Sequence, residues 1–123
     1  MEKFKVESVE DLEVFKKSHK LTLKVYRVTD DFPQSEKFGL VPQMRRAAAS
    51  IPCNLMEGGH RLNRAEYRHF VGIAKGSSGE LKYQLLLAKD LGYLSEKEYM
   101  ALRAEVDEIS RMLSGLVKAL SAK

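Results

Sequence analysis

The chain has 123 residues, 44% apolar and 31% charged, enough for one domain with a core and too few for two. Its apolar runs break at a charge after a few residues, its MEKFKVESVED start lacks a signal-peptide core, and its single cysteine, Cys53, permits neither an internal disulfide nor a thiolate zinc cluster. With a net charge of only +4, the expectation is one soluble cytoplasmic domain over residues 1–123, with no membrane span, cofactor or metal.

Punctuation divides the chain into four segments of helical periodicity. The first is predicted to begin near Ser8, with Asp11 three residues on as a capping partner, and to stop at Phe32-Pro33 because proline disfavours helix in the residue before it. Leu12, Phe15, His19, Thr22 and Tyr26 form one stripe, with Val14, Leu21, Val25, Val28 and Phe32 beside it. His19 is expected to be a hydrogen-bonded core or boundary residue.

The second segment starts at Pro42, whose missing amide costs nothing in a first helical turn. Its predicted apolar stripe is Met44, Ala48, Ile51, Leu55 and Leu62. Pro52 interrupts it and deprives the Ala48 carbonyl of its helical donor, a loss that needs a neighbour to offset it. Gly58-Gly59 is expected to loosen the last turn, and Cys53 to be a buried, inert thiol.

Asn63 is the predicted N-cap of the third segment, which runs to a Gly92 stop with Tyr67, Phe70, Ala74, Ser77, Leu81, Leu85 and Ala88 on one side. Gly72, Gly76 and Gly79 weaken a helix, so they predict close approach of another backbone. Ser95 to Glu98 is a capping-box pattern opening the fourth segment. There Tyr99, Leu102, Val106, Ile109, Leu113, Leu116 and Leu120 repeat at intervals of three and four. Four helices joined by one longer connection, Pro33 to Leu40, and two short ones predict an all-α, antiparallel up-down-up-down four-helix bundle.

No set of residues assembles an enzyme. The pairs Glu57/His60 and Glu66/His69 have the Glu-x-x-His spacing of di-metal carboxylate oxidoreductases, but the inward glutamates required from two other helices are missing. Gly76-Ser77-Ser78-Gly79 has neither the strand-to-helix context of a nucleophile elbow nor the lysine of a phosphate loop.

A polar seam runs beside the apolar stripe of the second segment: Gln43, Ala47, Ser50, Asn54, Glu57 and Arg61. With Arg46, and with Ser77 and Glu80 of the third segment, its polar members are predicted to form a structural hydrogen-bonded network within the chain or between subunits.

The charge has a location. Residues 1–44 and 76–123 are each balanced, and the whole excess lies between them, where Arg45, Arg46, Arg61, Arg64, Arg68 and Lys75 meet only Glu57 and Glu66. Arginine forks suit phosphate, so Arg45, Arg61, Arg64, Arg68 and Lys75 are the predicted nucleic-acid contacts.

The run from Gln43 through Arg45-Arg46, Ser50-Ile51-Pro52 and Asn54 to Glu57-Gly58, followed by Arg61, Phe70, Ala74, Gly76, Ser77, Glu80 and Leu81, resembles the four-helix-bundle family named for the 23S rRNA intervening sequence protein. That family is itself similar to the accessory variability determinant proteins of diversity-generating retroelements. The resemblance implies a small bacterial cytoplasmic protein that forms a homopentameric ring, without catalytic activity or cofactor. It also implies nucleic acid, RNA or DNA, as a partner, with a scaffold for a protein such as a reverse transcriptase as the alternative.

Overall fold

The structure, a computed structural model, describes residues 6–121. Every regular element among them is helical: α1 (Val6–Asp11), α2 (Glu13–Thr29), a 3-10 turn at Gln34–Glu36, α3 (Leu40–Gly59), α4 (Arg64–Asp90) and α5 (Glu96–Ser121). The four long helices pack as an antiparallel up-down-up-down bundle. Paired cross-helix contacts fix the directions: Thr22 meets Ala48 while Arg45 meets Thr29, Ser50 meets Ser77 while Gly58 meets Tyr67, and Lys82 meets Asp107 while Lys89 meets Tyr99. No helix of the described residues is long and apolar enough to cross a membrane.

The first segment departs from its expected form. Leu12, with ψ of 136°, breaks it into two helices, and α1 already includes Ser8. Ser8 therefore does not start the helix, and its side chain lies outside the described residues. In α2 the buried row is Val14, Ser18, Leu21, Val25 and Thr29. The Phe15, His19, Thr22 and Tyr26 stripe lies along its edge, with His19 exposed and stacked on Phe15 at 6.4 Å rather than buried. The buried hydroxyls of Ser18 and Thr29 donate to carbonyls of their own helix.

In α3, Met44, Ala48, Ile51 and Leu55 fill the core, and Pro42 sits third in the helix, still within the turn whose amides have no helical acceptor. The carbonyl freed by Pro52 is answered from α2. The Thr22 hydroxyl lies 3.1 Å from the Ala48 oxygen and 2.8 Å from the Ser18 oxygen, sharing its proton between them. Two expectations fail here. Cys53 is exposed, because it falls opposite the Ile51–Leu55 row. Leu62 is 98% exposed, because α3 ends at Gly59 and the helical register does not continue to it.

The helix ends follow their local signals. Asn63 Oδ1 accepts the Glu66 amide at 2.8 Å. Gly92, at φ +86°, stops α4 while the Tyr93 amide turns back to the Ala88 carbonyl at 2.8 Å. Ser95 and Glu98 exchange side-chain to amide bonds of 3.0 and 2.9 Å. In α5, Tyr99, Leu102, Val106, Ile109, Leu113 and Leu120 are buried and Leu116 is half-buried.

The glycines reverse their expected roles. A Cβ on Gly58 would stand 2.8 Å from Tyr67 Cδ1 and 3.0 Å from Phe70 Cβ, and one on Gly59 would strike the Val9 side chain. The close approaches are therefore at the end of α3. At Gly72, Gly76 and Gly79 nothing lies within 4 Å of the missing Cβ, so no backbone within the chain packs there.

Candidate nucleic-acid interface

The five predicted contacts separate into three groups. Arg45 turns inward to the C-terminal end of α2. Its guanidinium donates to the Thr29 hydroxyl at 2.9 Å, the Tyr26 carbonyl at 3.1 Å and Asp30 at 3.0 Å, and it lies 4.6 Å from the Tyr26 ring centroid. A cation at the carbonyl end of a helix is favoured by the helix dipole. Arg45 thus joins α3 to α2, and it leaves the set of phosphate contacts.

Arg61 is held by Glu57 at 2.9 Å and lies 4.6 Å from the Phe70 ring centroid. Phe70 is two residues from Arg68, about 200° around α4, so Arg61 belongs to the α3 side. Arg64, Arg68 and Lys75 are exposed and stay together, within about 40° of one another on α4.

The structure extends this row with residues that local charge counting passes over. Lys82 falls seven residues beyond Lys75 on the same side and reaches Asp107 of α5 at 3.1 Å. Asp107 also accepts from Arg103 at 3.2 Å. Burial would raise the Asp107 carboxyl, but hydrogen bonds and charge from Lys82 and Arg103 outweigh it and hold the group below its ordinary range. From that pair a second row continues along α5 through Arg111 and Lys118, both exposed and within about 40° of Asp107. The two rows run side by side toward the start of α4 and the end of α5.

Other acids in these stretches point elsewhere. Glu108 pairs with Lys17 of α2 at 3.7 Å, and Glu80 meets Gln84 on the side where Ser77 faces α3. Among the described residues, Arg68, Lys75, Arg111 and Lys118 enter no ion pair. An open hollow of about 420 Å³ lies on this face, lined by Ala65, Arg68, His69, Gly72, Ile73 and Val117. A larger groove of about 590 Å³ between α2 and α5 has a different character. There Lys16, Lys17 and Lys24 face Glu13, Glu108 and Glu105, so the lysines of this groove are interleaved with carboxylates.

The polar seam lies at the α3–α4 contact. Ser50 and Ser77 share a 2.8 Å hydrogen bond, and Asn54 donates to the Ser50 carbonyl and hydroxyl at 2.8 and 2.9 Å. Glu57 bonds Arg61, and Glu80 bonds Gln84, each on its own helix. Gln43 and Arg46 stand exposed and join none of these bonds among the described residues.

The first pair of the di-metal spacing is otherwise engaged: Glu57 holds Arg61, and His60 Nδ1 is 2.9 Å from the Met56 carbonyl. Among the described residues no group of three or more His, Cys, Asp or Glu side chains is placed to hold a metal ion.

Residues 10–115 match the family described as 23S rRNA-intervening sequence protein. The chain is also similar to a crystal structure of a protein of unknown function from the S23 ribosomal protein family of Bacteroides thetaiotaomicron VPI-5482. The TM-score is 0.77 at 23% identity, over 85% of this chain and 98% of that one. At that identity the likeness shows a shared fold. No curated protein matches the chain. With the match covering most of its length, the chain belongs to the 23S rRNA-intervening sequence protein family.

Proposed function

We propose that the protein is a non-enzymatic, self-associating helical bundle that binds RNA or DNA by backbone charge through its α4–α5 face. One observation carries this reading. Among the described residues, Arg64, Arg68 and Lys75 on α4 run beside Arg111 and Lys118 on α5, and Asp107, which lies between the two rows, is already neutralised by Lys82 and Arg103. Phosphates are the ligands that a row of cations on rigid helices suits, and such contacts fix position without reading bases.

Self-association strengthens the reading through multivalency. In the ring of five that the family resemblance implies, the +4 of each chain becomes about +20, and weak patches act together. Native mass measurement tests this part, and a monomer at micromolar concentration contradicts it.

The binding reading is tested with a structured RNA at two salt concentrations. Affinity is expected to fall steeply with salt, with a logarithmic slope of about −0.9 per phosphate neutralised on a duplex and about one unit less for each cation removed. Arg68→Glu with Lys75→Glu abolishes binding if the face is correct. Absence of binding at low salt, or affinity unchanged by the charge reversal, rejects it. Retention of a protein partner by the charge-reversed variant favours the scaffold reading.

A further inference from the structure

Building on the nucleic-acid reading above, we infer that the α4–α5 face takes a duplex rather than a single strand, with the glycines of α4 forming the gaps into which its phosphate backbone settles. The first observation is a seam. Arg64, Arg68, Gly72, Lys75, Gly79 and Lys82 follow one another at intervals of three and four along α4. That spacing normally places packed apolar residues on one side of a helix. Here it places cations alternating with glycines, and the seam faces outward.

The glycines have no use inside the chain. Each weakens an exposed helix relative to alanine. Open space surrounds the position of the missing Cβ at Gly72, Gly76 and Gly79 alike, so no neighbour requires its absence. An absent side chain therefore matters only to something arriving from outside, and the hollow at Gly72 has Arg68 on its rim. The flanking cations make that visitor anionic. A second copy meeting the seam face to face would bring the same cations against it, whereas a neighbour in a ring presents a different face, and the native mass of the glycine variants separates that contact from nucleic acid.

Duplex is favoured over single strand on two grounds. Arg68, Lys75 and Lys82 repeat about every 10.5 Å on one helix, and the Arg111–Lys118 row lies on a neighbour whose axis is about 8–10 Å away. Two cation rows held at a fixed separation suit two phosphate strands flanking a groove, whose widths in B-form DNA are about 6 and 12 Å. A single strand has one flexible backbone and is ordinarily held by aromatic platforms under successive bases. Among the described residues this face offers two exposed rings, His69 beside the hollow and Tyr83 at its far edge, fourteen residues apart on α4 and so too distant to stack successive bases.

The test uses the full-length protein with a duplex of about 20 base pairs, against the roughly eight that the 27 Å from Arg64 to Lys82 spans at 3.4 Å per step. Affinities are measured at low salt for RNA duplex, DNA duplex and each single strand. Either duplex is expected to bind at least about tenfold more tightly than its strands, and Gly72→Leu with Gly79→Leu to weaken duplex binding at least about tenfold while leaving thermal stability equal or higher. The RNA and DNA arms show which duplex is preferred.

Equal or tighter binding of single strands overturns the duplex inference. If Arg68→Glu with Lys75→Glu still abolishes that binding, the nucleic-acid reading stands without it. Absence of binding to any of the four overturns both. Leucine variants that bind duplex unchanged also overturn the inference, and a change in native mass alongside would assign the glycine seam to contact between copies.

Discussion

Helices α3 and α4 each carry residues that a helix interior disfavours, and the two treat them in opposite ways. In α3 every such residue is met by a neighbour: Pro52 by the Thr22 hydroxyl at the orphaned Ala48 carbonyl, Gly58 by Tyr67 and Phe70, Gly59 by Val9. In α4, Gly72, Gly76 and Gly79 are met by nothing. Helix-breaking residues in α3 are therefore part of the fold. Those in α4 carry a stability cost that the folded chain does not recover, and their use must lie outside it.

The contrast is broken most strongly at Gly58. Alanine there forces its methyl against the Tyr67 ring and the Phe70 Cβ, and opening a packed contact costs about 1–3 kcal/mol, less the gain in helix propensity. Gly58→Ala is expected to lower the thermal unfolding midpoint by several degrees. An unchanged midpoint would mean that the α3–α4 hairpin yields at no cost.

A smaller loss is expected from Thr22→Val, which keeps the shape and removes the donor. The Ala48 carbonyl then has no partner in place of the Pro52 amide, at a cost of about 1–2 kcal/mol. Thr22→Ser should recover most of it in chemical denaturation. Equal stability of Thr22→Val and the parent would show that Pro52 is tolerated for some other reason.

At Gly72, Gly76 and Gly79 the sign reverses. Each alanine is expected to add about 0.5–1 kcal/mol, because it improves helix propensity and meets open space. The triple variant should therefore melt higher than the parent. Destabilisation would mean that the native assembly packs something against this seam.

What was legible in the sequence was mostly local. Asn63, Gly92 and the Ser95–Glu98 pair set helix ends through bonds that span three to five residues, and each does so here. The α5 seam was legible because seven apolar residues share one uninterrupted helix. Periodicity misleads where the backbone changes course: it carries the α2 register across the Leu12 break and extends α3 to Leu62, three residues past its end.

The candidate site was half legible for a related reason. Counting charge along the chain finds Arg64, Arg68 and Lys75 but passes over Lys82, Arg111 and Lys118, which lie where acids and bases balance in number. The acids there are drawn to other sides, Glu108 toward α2 and Glu80 toward α3, and only three dimensions show it. Arg45 fails in the opposite direction. Nothing near it in sequence announces that Asp30 and the end of α2 will claim its guanidinium.

The mildest departure from regular helix in α3 lies at its first turn, and it too has a partner. Glu36 accepts the Leu40 amide at 2.9 Å with one carboxylate oxygen and the Tyr93 hydroxyl at 2.9 Å with the other, joining the α2–α3 loop to the segment after α4. A Cβ on Gly39 would stand 2.7 Å from the first of those oxygens, so glycine leaves room for the cap. The Leu40 amide, then the Tyr93 hydroxyl, hold the Glu36 carboxyl below its ordinary value, while the same bond raises the Tyr93 phenol. A depressed carboxyl contributes its full stability above the unfolded value. That contribution declines as the unfolded chain takes up a proton the folded chain does not, and it is gone below the folded value. Acid should therefore loosen this end of the bundle, with the loss beginning at the ordinary glutamate value. Glu36→Gln should flatten that part of the stability profile, since its amide oxygen accepts one of the bonds without titrating. Tyr93→Phe should reduce the slope by less, because the Leu40 amide, the larger influence, remains. If the acid profile of Glu36→Gln overlays that of the parent, the carboxylate does not link the two loops, and this end of α3 is as unsupported as the glycine seam of α4.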